Sequence, residues 1–337
     1  MIVGAIVASA QTTRPTRYPG YSTDGTQRQR EIERRIIESA DAKRVGQFAR
    51  ALAARPHIAG TPAQAATRDY VIEQMKSWGL ETSIATYDVY LPRTTETRLE
   101  RTQPSPKSFT LREPPLVDDP YSQHQLPFTF QHGYAAAGEV AAPLVYVNYA
   151  TDADLGRLAE LGVSLEGRIA IARYGHGYRG NKVRNVAARG AIGCLIYTDP
   201  HDDGYYRGDV YPVGPMRPAD GVQHGSVKLG PPGDPTTPGW PSLPDAERIA
   251  PADSENLNRI PSMPISAAIA RELLADLGGP EVPQEWQGAL PFRYHVGPGP
   301  TAVRMKVARD EKRREIFNTF GRIEGEEFPD DDPLVGK

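Results

Sequence analysis

The sequence predicts a mixed α/β (α+β) protein in which one domain interrupts another. Three observations carry this. First, Gly167–Tyr174 is a nearly continuous apolar run, Asn181–Arg189 is a short helical stretch ended by Gly190, and Ile192–Tyr197 returns as a second apolar run. Together they make a compact β-α-β unit whose strands are buried on both faces and whose crossover is expected to be right-handed. Second, the composition shifts at Pro92 to a stretch rich in Thr, Pro and charge that runs to about Gln131. Third, 337 residues with 39% hydrophobic and 24% charged content suffice for two domains with their own cores.

Taken in order, residues 1–27 read as a signal-like remnant and linker, because Ile2–Ala10 is apolar and ends in Ala8-Ser9-Ala10. This run is far too short to span a bilayer, and export to the periplasm or the extracellular space is the expectation. Arg28–Arg55 has helical periodicity, with Ile32, Ile36, Ile37, Val45, Phe48 and Leu52 near one face. Thr61 and Pro62 predict an N-cap and first turn for a helix over Ala63–Ser77, stopped by Gly79. Leu80–Leu91 alternates as a strand with Ile84, Tyr87, Val89 and Leu91 as buried positions. Further strands are predicted at Pro143–Tyr149, Trp286–Val296 and Thr301–Ala308, and a helix runs from Ser266 to Leu277. Tyr205–Ala250 is a long loop full of Gly, Pro and aromatics, of the kind that carries function or an interface. Glu315–Gly325 is a strand entering a turn. The predicted division is therefore 28–91 and 311–337 as two ends of one α/β domain, flanking an inserted domain at 92–310.

Composition excludes several classes. A net charge of −3 leaves no electrostatic footprint for nucleic acid. The single cysteine, Cys194, excludes an internal disulfide framework, and its apolar run makes it a core thiol. The seven histidines show no zinc-motif spacing. His201-Asp202-Asp203 is the nearest to a cluster, yet adjacent residues rarely aim at one ion. Gly175–Gly180 lacks the Gly-Lys-Ser/Thr ending of a phosphate loop.

An ordered set of segments adds a resemblance. His57–Thr61, Tyr87–Leu91, Leu144–Ala150, Ile171–Gly175 with Tyr178–Val183, Gly233–Gly239 and Tyr294–Gly299 occur in sequence. Together they resemble the N-terminal half of the glutamate carboxypeptidase II family, which includes the non-enzymatic transferrin receptor. The likeness runs from about Ala40 onward. It implies a protease-associated domain inserted into a co-catalytic zinc-peptidase domain, followed by a helical domain through which the family forms homodimers. It also implies two zinc ions bridged by water, a glutamate general base and a peptide substrate. The zinc ligands are expected beyond Lys337, so the chain alone is expected to bind no zinc and to be inactive.

The resemblance also assigns residues. Arg179 matches an arginine that reaches toward the distal end of the substrate, a role suited to a guanidinium that clamps a carboxylate and stays charged. Ser226, in Gly221-Val-Gln-His-Gly-Ser226, stands where the family carries a substrate-contacting Asn. Thr237 and Trp240 match positions whose backbone carbonyls help hold a structural calcium, a site that is incomplete without carboxylates from elsewhere. Tyr205, Tyr206, Tyr211 and Trp240 are expected at an interface. Two other functions stand beside the peptidase: a non-catalytic binding module of the protease-associated or transferrin-receptor kind, and a truncated, inactive fragment.

Overall fold

The computed structural model describes residues 17–123 and 130–324. Ile2–Ala10, His124 and Pro329–Asp332 lie outside the described residues. The chain divides at Pro56 into two compact units.

The first unit holds α1 (Thr23–Glu38) and α2 (Ala42–Leu52). The stretch predicted as continuously helical is broken, because the Asp41 carboxylate caps α2 by accepting from Lys43 N (2.9 Å) and Arg44 N (3.4 Å). Ser22 Oγ caps α1 in the same way from Gly25 N (3.0 Å). The apolar stripe exists, yet Ile32, Ile36, Ile37 and Val45 on it are exposed.

The second unit begins with α3 (Pro62–Ser77), capped by Thr61 as predicted. In chain order it continues with β1 (Glu81–Tyr90), β2 (Thr94–Gln103), β3 (Lys107–Ser108), α4 (Pro120–Gln123), β4 (His132–Gly133) and β5 (Gly138–Tyr146). Then come α5 (Asp152–Glu160), β6 (Ile169–Arg173), α6 (Arg179–Ala187), β7 (Gly193–Tyr197) and β8 (Gly225–Ser226). β9 (Ser262–Ile265), α7 (Ala267–Leu274), β10 (Ala302–Arg309) and β11 (Arg313–Arg322) complete it. Seven strands form one sheet in the order β3-β2-β10-β5-β6-β7-β9. Its β5-β6-β7-β9 half is parallel, and every residue of β6, β7 and β9 is buried. This half is the core, and the predicted β-α-β unit is its centre. Among the described residues no helix is long and apolar enough to cross a membrane.

Four expectations differ. β5 starts at Gly138 because Gly138–Pro143 pairs with β10 before Leu144–Tyr146 pairs with β6. α5 was not foreseen. Trp286–Val296 is not a strand: Gln287 accepts from Tyr294 N (3.0 Å) and donates to Phe292 O (3.0 Å), so its amide satisfies backbone that a neighbouring strand would otherwise pair. On β1, Ile84 is exposed and Tyr87, Val89 and Leu91 are only part-buried, since β1 pairs with β11 alone in a two-stranded sheet.

The chain passes between these two sheets twice, from β1 to β2 and from β10 to β11, and the crossings are tied together. The Asp310 carboxylate accepts from Arg93 N (3.0 Å) and from Arg314 Nη1 (3.1 Å) and Nη2 (2.6 Å). Asp310 N donates to Arg93 O (2.9 Å), and Leu91 N donates to Lys312 O (3.1 Å). Bonding from Arg314 holds the Asp310 carboxyl down at about 2. A carboxyl whose folded pKa is depressed stabilises fully above its unfolded value, near 4, and loses that contribution as the pH falls toward 2. Asp310→Asn is expected to cost about 1–3 kcal/mol at neutral pH and to remove that acid step. Thermal melts of both proteins from pH 7 to pH 2 check it.

Candidate functional site

The carboxyl end of β6 opens into the turn Tyr174–Tyr178, from which α6 starts at Arg179. Three successive turn residues have positive φ: Gly175 (116°), His176 (50°) and Gly177 (147°). Glycine takes the outer two without a Cβ penalty, whereas His176 sits where side chains are disfavoured. Its ring lies tilted against Tyr149, 4.1 Å between centroids and 38° between planes.

This turn delivers Arg179 into a fitted seat. Nη2 donates to Tyr174 Oη (2.8 Å), and Nη1 lies 3.4 Å from Ser226 O. The Arg179 guanidinium lies 5.2 Å from the Tyr174 ring centre and 5.9 Å from that of Tyr178. It rests against Gly225, where any Cβ would collide with it. Nε is buried and finds no partner among the described residues. Arg179 and Ser226, read separately from the sequence, are therefore neighbours. The Ser226 hydroxyl accepts from Lys228 N (3.0 Å) in its own turn. Tyr178 Oη braces the same turn, 2.8 Å from the carbonyls of both Ser226 and Lys228.

Behind the seat, β8 pairs in parallel with β4, joining Gly225 and Ser226 to His132 and Gly133. His132 is buried, with Nδ1 3.1 Å from Ser262 Oγ. Burial, and then the positive charge of Arg179, pushes its imidazole down to about 3. His224, one residue before Gly225, is also pushed down by burial and lines a groove of ≈ 660 Å³ between segments 112–122 and 203–224. Lys182, one turn into α6, is buried with Nζ 2.5 Å from both Tyr149 O and Gly175 O, and burial lowers it to about 8.

Thr237 and Trp240 lie in the long loop, which is fastened to β1. The buried Asp234 carboxylate accepts from Tyr90 N (2.8 Å), Thr236 N (2.7 Å), Ser242 Oγ (2.6 Å) and Arg248 Nη1 (3.0 Å). Arg248 also donates to Asp88 O, and Asp88 N donates to Ser242 O (2.9 Å). Thr237 O already accepts from Trp240 N (3.3 Å), while Thr237 Oγ1 is buried with no partner among the described residues. These oxygens alone do not make a calcium site. No group of three or more His, Cys, Asp or Glu side chains that could hold a metal occurs among the described residues, so they do not fit the zinc pair. At His201-Asp202-Asp203 the carboxylates serve arginines: Asp202 pairs with the buried Arg173 (2.8 Å) and Asp203 with Arg217 (3.1 Å). Tyr205, Tyr206, Tyr211 and Trp240 are exposed.

Residues 140–229, which include Arg179 and Ser226, match the family model described as PA domain. The chain is 36% identical, over 85% of its length, to "Probable glutamate carboxypeptidase VP8" of Zea mays, of which it covers 38%. It is 38% identical, again over 85% of its length, to "Probable glutamate carboxypeptidase LAMP1" of Arabidopsis thaliana, covering 41%. The chain resembles the glutamate carboxypeptidases. "Aminopeptidase NAALADL1" of Mus musculus is 32% identical over 91% of the chain, which covers 44% of it. The chain thus spans about two fifths of the length of the curated relatives it matches. Their names agree on a peptidase and differ on which end of the peptide is cut.

Sequence reasoning named Arg179 and Ser226 but missed Tyr174, Tyr178, Gly225, His132 and Lys182 as their surroundings. The signal for three of them lay in the strings Ile171–Gly175 and Tyr178–Val183. In this glutamate carboxypeptidase-like chain His132 predicts acid sensitivity. Its folded pKa lies below its unfolded value of about 6.5, so the unfolded chain takes up the proton first. Stability from this group is complete above about pH 6.5 and falls as the pH drops toward 3. His132→Gln is expected to flatten that slope in urea unfolding between pH 7 and pH 4. Gly225→Ala is expected to unseat Arg179 while leaving the parallel core folded, which the Arg179 side-chain density in a crystal of the variant reads directly.

Proposed function

We propose that the chain is the N-terminal portion of a zinc-dependent exopeptidase of the glutamate carboxypeptidase II type, which removes terminal residues from short peptides. Residues 92–310 form its inserted domain and shape the substrate cavity, and Arg179 receives a substrate carboxylate. The observation that carries this is the seat of Arg179: a guanidinium fixed by Tyr174, Ser226 O and Gly225 before any ligand arrives. A pre-set guanidinium loses little entropy on binding and offers a carboxylate two N–H bonds. The names of the relatives support the peptidase class. The zinc chemistry has no counterpart among the described residues. A calcium at Thr237 and Trp240, a homodimer and export belong to the same proposal and rest on the sequence resemblance.

Ser226 in place of the family's Asn, shorter and already accepting from Lys228 N, argues for an altered side-chain preference, with the carboxylate contact retained. In calorimetric titration with a dipeptide ending in glutamate, Arg179→Ala is expected to weaken binding by about 1.5–3 kcal/mol, the worth of a charge-assisted hydrogen bond. Arg179→Lys is expected to restore only part of it, because an ammonium lacks the planar fork. Equal affinity in all three proteins would remove Arg179 from the site. The chain alone is expected to show no hydrolysis with added zinc, and zinc-dependent turnover would contradict the division of labour proposed.

A further inference from the structure

The turn that seats Arg179 is not self-supporting. It strings three positive-φ residues together, one of them His176, and its two tyrosines supply the hydroxyl and rings that hold the guanidinium. Residues held in sparsely populated backbone regions persist only where the surroundings over-determine them. Lys182 makes the principal tie. It lies three residues after Arg179 on α6, its side chain turns under the helix, and Nζ donates to Gly175 O and to Tyr149 O, 2.5 Å each. Nζ also lies 5.5 Å from the centre of the Tyr149 ring, the ring against which His176 packs. A Cβ added at Gly175 would meet the Tyr149 ring at 3.4 Å, so one amine joins two segments that already lie close together.

We infer that Lys182 is a positioning residue for Arg179: its buried amine locks the Tyr174–Tyr178 turn to the Tyr149 turn, and the locked turn sets the guanidinium. The functional weight of this rests on the reading of Arg179 as a carboxylate receiver, but the lock itself does not. A lysine on a helix of this kind would ordinarily reach solvent, whereas this one ends on two carbonyls that no other side chain satisfies in the described residues. An apolar side chain of equal length would fill the same space and take away the donor from both part-buried carbonyls. A glutamine, shorter but carrying an NH₂ group, would restore one of the two bonds.

The test compares the full chain with its K182M and K182Q variants by hydrogen exchange and by modification of Arg179 with phenylglyoxal. The expected result for K182M is about tenfold faster exchange of amides 175–181, the loss of one to two hydrogen bonds. Arg179 should be modified several-fold faster, with amides of β6, β7 and β9 unchanged and K182Q falling between. Wild-type protection of amides 175–181 in both variants would overturn the inference. So would a uniform loss of protection across β6, β7 and β9 in both, which would make Lys182 a core residue with no particular hold on the turn. If K182M does not fold, K182Q alone decides by the same two readouts. Glutarate, a simple dicarboxylate, added to the wild type reads the substrate role separately. Failure to shield Arg179 from phenylglyoxal would sink the carboxylate reading while leaving the lock standing.

Discussion

Asp310 holds together the one place where the chain leaves one sheet for the other and later returns. Consecutive strands β1 and β2 lie in different sheets, as do β10 and β11, so both passages must occur side by side. The two passages run antiparallel, and Asp310 with Arg93 and Arg314 ties backbone and side chains together where they cross. A second brace, from Asp234 and Arg248 to Tyr90 and Asp88, fastens the long loop to β1 near the same point. The seven-stranded sheet is therefore tied to β1 and β11 by charge-assisted hydrogen bonds as well as by the backbone bonds Asp310 N to Arg93 O and Leu91 N to Lys312 O.

Within that frame the parallel half of the sheet does what open α/β sheets do, presenting a loop at the carboxyl end of a strand. β6 is buried throughout and bonded on both sides, so the turn that follows it begins at a packed strand end. From there the chemistry is local. Glycines permit the turn, Lys182 and Tyr149 hold it, and Tyr174, Tyr178 and the bare face of Gly225 receive the arginine. The charge remains available to a ligand because its neighbours are a phenol, a carbonyl and a ring, with no carboxylate bonded to it among the described residues. Arg173, six residues earlier, shows the opposite arrangement: Asp202 pairs it fully and it is spent on structure.

Much of this was legible in the sequence. The β-α-β unit, the Thr61 cap and the strand before Gly325 are local patterns, and local patterns survive folding. Where they failed, a tertiary partner decided. Gln287 replaced a strand neighbour for Phe292 and Tyr294, so an apolar stretch stayed irregular. β10 drew β5 out five residues beyond its apolar run. α5 had a readable signal, the Thr151/Asp154 capping box, that was passed over beside the stronger strands. Arg179 and Ser226 came from resemblance, but Gly225 could not, because its role is an absence of atoms that shows only when the guanidinium is in place. Similarly, nothing in the spacing of Lys182 reveals that it points inward.

The most direct test of the account is a crystal structure of this chain grown with glutarate. The account predicts one carboxylate on the Nη1 and Nη2 groups of Arg179, with Tyr174, Gly225 and the Tyr174–Tyr178 turn where they stand without ligand. A carboxylate bound elsewhere, or an Arg179 that must leave Tyr174 to reach it, would contradict the claim that the fold sets this guanidinium in advance.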